Sequence, residues 1–395
     1  MSFALWVSVG ACFGQTPAAS MESDIVLALR DSTCDMGQTI SSRPGPWGRM
    51  EYTSTLLEPP PSIVGEDVRS KRPLAWQFTG MTTGQVAALL MDAGLDPVIV
   101  DRLMNSRQMS SDPTDFLILP PDDILLGMEP ETRRRVYFNL RASSLNKFYG
   151  LPFHMNHLYG DEWFRDASLS PATLAMLDRL VYRQGSMMYF SDVRFVLSKI
   201  DDVEERRNFF AALLRQVTLR VRLSIKDASE VDGLVAYWGA HGRENVVRPI
   251  IEAVERGSVD WPVSILSLLP PLPRERLFTY NSGSRELFRD CNWTALNFFN
   301  DPPDDIYLQQ SAVTNAVFGR YAPIESNFLP GDLILLRNDR QDVIHMCNYI
   351  ADNIVFTKNG GDLAQPWILS TLREVVDYYT IGGDAPDVLF LRERL

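Results

Sequence analysis

The sequence predicts an α+β protein, in which a mostly α-helical N-terminal domain is followed by a small α+β domain with a short antiparallel sheet. Between Met81 and Leu272, apolar residues recur mainly at helical spacing. From about residue 276 the pattern changes to helix, three strands and helix. A chain of 395 residues is long enough for two such domains.

Charge and composition argue against a nucleic-acid-binding protein and against a disulfide-stabilised scaffold. Lys and Arg total 38 against 50 Asp and Glu, a net charge of -12, which argues against a nucleic-acid partner. The densest basic run, Arg133 to Arg135, predicts a solvated helix face. The four cysteines are too few and too scattered for a disulfide scaffold: Cys12, Cys34, Cys291 and Cys347. We predict neither a metal nor an organic cofactor.

The first 72 residues predict a leader and a linker. Residues 1–20 contain an apolar stretch from Phe3 to Phe13, which has the length of a signal-peptide core and is short for a membrane span. Val9 to Cys12 also resembles a lipobox, which would make Cys12 a lipid anchor. We therefore expect export to the periplasm or cell envelope and no transmembrane span in the mature chain. Residues 21–72 are rich in Pro, Ser and Gly and predict an irregular linker.

Residues 73–275 predict the α-helical accessory domain. Helices are expected to begin at Ser170, Asp202 and Asn245, and Gly257 is expected to end the last of them. The alternation from Leu219 to Ile225 predicts one strand or an extended segment at the domain surface. No catalytic pattern stands out in this part of the chain.

Residues 276–395 predict the smaller domain. A helix is expected from Cys291, followed by strands at Pro330–Leu336, Val343–Ala351 and Ile354–Gly361. Pro366–Tyr379 is expected to form the closing helix, because proline suits the first helical turn.

Cys291 is a candidate nucleophile. Asp290 is expected to cap the helix that Cys291 begins, and the N-terminal end of a helix favours a thiolate. The free backbone N–H groups there can also hold an oxyanion. His345 lies on the second predicted strand and is the candidate base. A zinc site that combines Cys291, His345 and Cys347 is a weaker alternative, because it lacks a fourth ligand.

The hairpin after His345 determines which residue orients the imidazole. With a three-residue loop, Asn359 falls opposite His345 and Thr357 lies on the same face. With a two-residue loop, Gly360 falls opposite His345 and Lys358 moves onto that face. We predict Asn359 as the orienting residue, with Thr357 as the alternative.

The C-terminal region resembles the NlpC-type cell-wall endopeptidases of the papain-like fold. The resemblance rests on Asp290-Cys291, on Pro330-Gly331-Asp332-Leu333, on His345 and on a polar residue of the next strand. It implies Cys291 and His345 as catalytic residues, with Tyr280 near the substrate amine. Asp290 and Trp293 are further candidates for substrate binding. Asn292 and Trp293 stand where the family has Ser-Gly.

Two functions follow from these observations. The resemblance implies a thiol-dependent hydrolase of amide or peptide bonds, with a peptide or peptidoglycan-derived substrate. The alternative is a catalytically inactive papain-like domain that serves as a binding module. Catalysis requires Cys291 and His345 within hydrogen-bond reach. Trp293 in the groove, or Lys358 facing the imidazole, would favour the binding module.

Overall fold

The computed structural model describes residues 24–30, 35–64, 74–109, 114–143, 145–225, 228–257, 262–281, 289–361, 364–380 and 384–394. The predicted leader, 1–20, and the predicted lipid anchor at Cys12 lie outside these residues. The chain divides into two compact units. Unit one combines the chain up to Leu57 with Gln216 onward, and unit two is Glu58–Arg215.

The secondary structure mixes helices with small antiparallel sheets, as the predicted α+β class requires. The strands of the described residues are β1 (Thr39–Ser41), β2 (Arg49–Leu57), β3 (Trp76–Phe78), β4 (Arg107–Met109), β5 (Phe116–Ile118), β6 (Phe153–Asn156), β7 (Tyr182–Gln184), β8 (Met187–Phe190), β9 (Gln216–Ser224), β10 (Val263–Ser264), β11 (Tyr321–Ile324), β12 (Leu333–Arg337), β13 (Val343–Ala351), β14 (Ile354–Lys358), β15 (Trp367–Thr371) and β16 (Asp387–Glu393). The helices are α1 (Asp24–Ala28), α2 (Thr83–Asp92), α3 (Pro97–Asn105), α4 (Asp122–Gly127), α5 (Pro130–Leu140), α6 (Lys147–Gly150), α7 (Gly160–Trp163), α8 (Pro171–Leu180), α9 (Val193–Lys199), α10 (Val203–Leu213), α11 (Val231–Trp238), α12 (Glu244–Arg256), α13 (Pro271–Arg276), α14 (Cys291–Leu296), α15 (Gln310–Arg320) and α16 (Leu372–Tyr379).

Unit one contains two antiparallel sheets. A six-stranded sheet has the order β11-β16-β12-β13-β14-β15, and a four-stranded sheet has the order β1-β2-β9-β10. The hydroxyl of Thr218 on β9 donates to Leu369 O at 3.1 Å and accepts from Leu369 N at 3.2 Å, so it joins the two sheets. A single buried apolar cluster includes residues of both sheets, such as Val221 and Phe356.

The predicted linker and the predicted domain boundary do not match this division. The irregular linker expected at 21–72 contains β2, which pairs with β9 along its whole length. Met50 and Tyr52 are buried and Arg49 and Glu51 are exposed, which is the alternation of a half-buried strand. Residues 216–275, which the sequence analysis assigns to the helical domain, belong to unit one instead.

The helix predicted over Pro366–Tyr379 is wrong in its first part. Trp367–Thr371 forms β15, every residue of which is buried, and the helix starts only at Leu372. Thr371 caps that helix through a reciprocal hydrogen-bond pair with Glu374. This capping box marks the true helix start, whereas Pro366 precedes the strand.

Unit two contains helices α2 to α10 and two three-stranded antiparallel sheets, β3-β5-β4 and β6-β8-β7. The predicted helix caps Ser170 and Asp202 are both present. Arg133 contradicts the prediction of a solvated helix face, because it is fully buried and pairs with Asp192.

Candidate functional site

Cys291 begins α14, as predicted. The carboxylate of Asp290 accepts a hydrogen bond from Trp293 N at 2.9 Å and so caps the helix. The same carboxylate accepts from Asn292 Nδ2 at 3.3 Å. Asp290 is therefore turned onto the backbone, as the sequence predicts.

The thiol of Cys291 is protonated in this structure. Burial, followed by the charge of Asp290, raises its pKa to about 12. The backbone N–H of Met346 and the charge of Lys358 act in the opposite direction. The expected thiolate at a helix start is absent, because the loss of solvation outweighs the help from the backbone. Cys291 is 9% exposed, and the hydrogen-bond contact of its Sγ is with Asn292 Oδ1 at 3.9 Å.

His345 lies on β13 and is held by Thr357. Its Nε2 is 2.8 Å from Thr357 Oγ1, and Thr357 Oγ1 donates to Asn359 Oδ1 at 3.2 Å. Since the hydroxyl proton is directed to Asn359, Thr357 accepts from His345, and the imidazole carries its proton on Nε2. The Nδ1 atom is then an unprotonated acceptor. We call His345, Thr357 and Asn359 the imidazole relay.

The hairpin register places Thr357 on the same face as His345. The turn has two residues, Asp352 and Asn353, since Ala351 pairs with Ile354. An irregularity between Tyr349 and Ala351 then shifts the register, so that Tyr349 pairs with Val355. Beyond this bulge the register is the one expected for a three-residue loop.

The predicted orienting residue is therefore corrected. Asn359 does not contact the imidazole directly, and Thr357, the alternative, does. Asn359 acts through Thr357, because it accepts the hydroxyl proton. Lys358 does not face the ring: its Nζ donates to Gly360 O at 3.0 Å and lies 5.4 Å from the Trp367 ring centroid.

The surroundings of His345 keep the imidazole neutral. The residue is 1% exposed, and burial lowers its pKa to about 3. Its ring stacks on Tyr379 with a centroid distance of 4.4 Å and an interplanar angle of 19°. Burial raises the pKa of Tyr379, and the neighbouring Tyr378 and Cys291 raise it further. Tyr379 therefore packs directly on the candidate base.

The elements that carry Cys291 and His345 pack on each other, but the two side chains are not hydrogen-bonded. Helix α14 packs on β13, and the N–H of Met346, the residue after His345, acts on the thiol. Nδ1 of His345 is buried and has no hydrogen-bond partner within the described ranges. The thiol–imidazole hydrogen bond expected of a nucleophile and its base is therefore not made in this conformation.

The other predicted contacts with substrate are not available in this conformation. Trp293 is fully buried in the apolar cluster of unit one, and its Nε1 donates to Asp305 Oδ1 at 2.9 Å. Tyr280 is 9% exposed, and its hydroxyl lies 3.4 Å from Leu57 O. Trp293 is thus a core residue that fixes the helix of Cys291.

Sequence reasoning missed Tyr379 as a neighbour of the site. Tyr379 ends α16, and only the packing of this helix beside β13 brings its ring onto His345. The available signal was the aromatic pair Tyr378–Tyr379 at the end of an amphipathic helix, which by itself indicates only a core face. No group of three or more His, Cys, Asp or Glu side chains suited to a metal ion occurs in the part of the chain that the structure describes.

Comparisons with known proteins identify no relative. No protein-family model matches the chain, and searches of curated proteins and of solved structures return no match. The similarity to NlpC-type endopeptidases therefore rests on the residues quoted above. Among the described helices, none combines the length and the apolar character needed to cross a membrane.

Proposed function

We propose that unit one carries a thiol-dependent amide hydrolase site of the NlpC type. Cys291 is the nucleophile, His345 is the base, and Thr357 with Asn359 fixes the imidazole. The substrate class that the resemblance implies is a peptide, including peptides derived from peptidoglycan, which agrees with the export predicted from residues 1–20.

The imidazole relay is the observation that carries this proposal. A buried polar nitrogen without a partner is costly, and native proteins rarely retain one without a use for it. His345 has such a nitrogen at Nδ1, while the relay keeps the proton on the other nitrogen. A bare, oriented nitrogen beside a cysteine-bearing helix is what general-base activation of a thiol needs.

The reaction follows from these positions. Nδ1 of His345 takes the proton from Cys291 as the sulfur attacks the amide carbonyl, and backbone N–H groups at the start of α14 hold the oxyanion. The imidazolium then gives its proton to the leaving nitrogen, and a water hydrolyses the thioester with His345 again as base. Because Sγ and Nδ1 are not hydrogen-bonded in this conformation, the site must rearrange before the first step.

The binding module is the second candidate. It is favoured by the pKa of about 12 at Cys291 and of about 3 at His345, because proton transfer from so weak an acid to so weak a base is strongly unfavourable. A papain-like domain that stays in this state retains its fold and loses turnover.

The rate of alkylation by iodoacetamide separates the two functions without a known substrate. It is measured at each cysteine by mass spectrometry as the pH is varied, with buried Cys347 as the internal control and His345→Ala beside the wild type. The hydrolase proposal requires Cys291 to react faster than Cys347 below a pH of about 8.5, the usual thiol pKa, and to lose this advantage without His345. Equal inertness of the two thiols would contradict the hydrolase and favour the binding module.

A further inference from the structure

Three cations lie over two tryptophan rings that contact the Cys291 helix. Arg276 and Lys358 each lie over the ring of Trp367, with Cζ and Nζ both 5.4 Å from its centroid. Arg289 lies over Trp293, with Cζ 4.5 Å from the ring centroid. We call Arg276, Arg289 and Lys358 the cation cluster.

The two indoles attach this cluster to the helix of Cys291. Trp293 belongs to α14 itself, and Trp367 Nε1 donates to Thr294 Oγ1 on the same helix at 2.9 Å. Trp367 is fixed further through its backbone, which accepts from Phe278 N at 2.8 Å and donates to Thr279 O at 3.0 Å. These bonds hold the end of α13, where Arg276 lies, next to the strand that carries Trp367.

The two arginines of the cation cluster have few negatively charged partners. Arg289 Nη2 is 3.9 Å from Asp305 Oδ1, and its buried Nε has no hydrogen-bond partner among the residues described. Arg276 forms no ion pair within the described ranges. Burial lowers the pKa of Arg276 and the charge of Arg289 lowers it further, whereas the charge of Glu275 raises it. The net shift is downward, so the repulsion between the two guanidinium groups is not offset by Glu275.

The cluster also acts on the candidate nucleophile. The charge of Lys358 lowers the pKa of both Asp290 and Cys291, against the effect of burial. Lys358 is fully buried, so its charge is poorly screened by solvent. Like charges that lie close to one another are stabilised by an anion that lies between them.

We propose that Arg276 and Arg289, with the buried charge of Lys358 behind them, form a carboxylate-binding site beside Cys291, which selects substrates that carry a carboxylate near the scissile amide. Arginine suits this ligand because its planar fork matches both oxygens. This proposal rests on the proposed function, since it names the substrate class of the same site, but carboxylate binding is measurable without turnover.

The binding experiment compares two small probes that differ only in charge. N-acetylglycine carries a carboxylate beside an amide, and N-acetylglycinamide is its neutral counterpart. Each is titrated into the full chain at low salt, with the indole N–H signals of Trp293 and Trp367 followed by NMR. Only N-acetylglycine is expected to shift these signals, and its affinity is expected to fall about three- to fivefold in Arg276→Gln and in Arg289→Gln, the effect of one partly exposed charge. Arg274→Gln, an exposed change on the same helix, is the matched control and is expected to bind as the wild type does.

A second readout uses the thiol. The ratio of iodoacetate to iodoacetamide alkylation is expected to be higher at Cys291 than for free cysteine, and to fall in the same two variants. If Cys291 resists both reagents, the hydrolase proposal fails, and the NMR titration still decides the carboxylate site. Equal shifts with the two probes, no shift with either, or the same loss in Arg274→Gln would overturn the carboxylate site.

Discussion

Two buried polar groups in this protein differ in how completely they are paired. In unit two, Asp192 accepts from Arg133 Nη1 at 3.2 Å, from Tyr137 at 2.7 Å and from Tyr149 at 3.2 Å. Trp76 Nε1 extends this network with a bond of 3.0 Å to the Tyr149 hydroxyl. In unit one, His345 is equally buried but uses one ring nitrogen, and the other has no hydrogen-bond partner among the residues that the structure describes.

The difference distinguishes a stabilising network from a candidate site. The Asp192 network surrounds a carboxylate with donors, so that carboxylate has little capacity left for a ligand. The imidazole relay fixes the ring and its tautomer but leaves an acceptor free. A buried acceptor of this kind costs stability, which is typical of groups that are retained for function.

The largest expected effect comes from breaking the network of unit two. Asp192→Asn removes the counter-charge of fully buried Arg133 and is expected to cost about 3–5 kcal/mol, the usual loss for an orphaned buried charge. Hydrogen exchange of peptides from α5, converted to a free energy of opening, measures it. Arg134→Gln is the matched control, because Arg134 pairs with Glu131 at the surface, and it is expected to cost less than about 1 kcal/mol. Similar losses in the two variants would remove the contrast between the units.

Acid is expected to destabilise unit one through His345. Its pKa is about 3 in the folded protein and about 6.5 for an unperturbed histidine, so the unfolded chain binds more protons between these limits. This contribution to stability is complete above pH 6.5 and is lost as the pH falls towards 3. The free energy of unfolding then falls by up to about 1.4 kcal/mol for each pH unit. Between pH 6.5 and 4.5, we therefore expect a loss of about 2–3 kcal/mol.

Urea unfolding at several pH values measures this dependence in the wild type and in His345→Gln. Other groups titrate equally in both proteins, so the difference between them isolates the histidine. A His345→Gln variant that loses as much stability in acid as the wild type would show that the imidazole of the folded protein is not protected from protonation.

A smaller effect is expected from Thr357→Val. The substitution keeps the shape and removes the acceptor of the His345 Nε2 proton, which is expected to cost about 1–2 kcal/mol. Urea unfolding measures the loss. Thr314→Val serves as the control, because its hydroxyl bonds only within α15 at the surface, and it is expected to change stability by about 0.5 kcal/mol or less. Equal costs at the two positions would mean that the relay does not hold the ring.

The sequence predicts the local elements of the site better than their packing. The Asp290 cap and the bounds of β13 agree with the structure because both depend on short-range patterns. The direct partner of His345 is Thr357 and not Asn359, although the register beyond the bulge is the one from which Asn359 was predicted. Strand β14 ends at Lys358, and Asn359 accepts a hydrogen bond from Thr357 instead. Where a strand ends depends on its packing, and no spacing in the sequence encodes it here.

Longer-range features were not predictable from the chain alone. The strand Arg49–Leu57 is stabilised by a partner more than 150 residues later, so its Pro-rich surroundings predicted a linker. Arg133 reads as a surface residue in the run Arg133 to Arg135, and only the fold supplies Asp192 in the core. The burial that raises the pKa of Cys291 likewise comes from tertiary packing and not from its position at a helix start.

The tautomer of His345 tests the central claim most directly. With only four histidines in the chain, ¹⁵N labelling and two-bond ¹⁵N–¹H correlation resolve the nitrogen shifts of this ring, and His345→Gln assigns them. We predict a neutral imidazole at pH 7 with the proton on Nε2 and a bare Nδ1, and loss of this preference in Thr357→Val. A proton on Nδ1 at pH 7 would contradict the account, because His345 would then have no free base to offer Cys291.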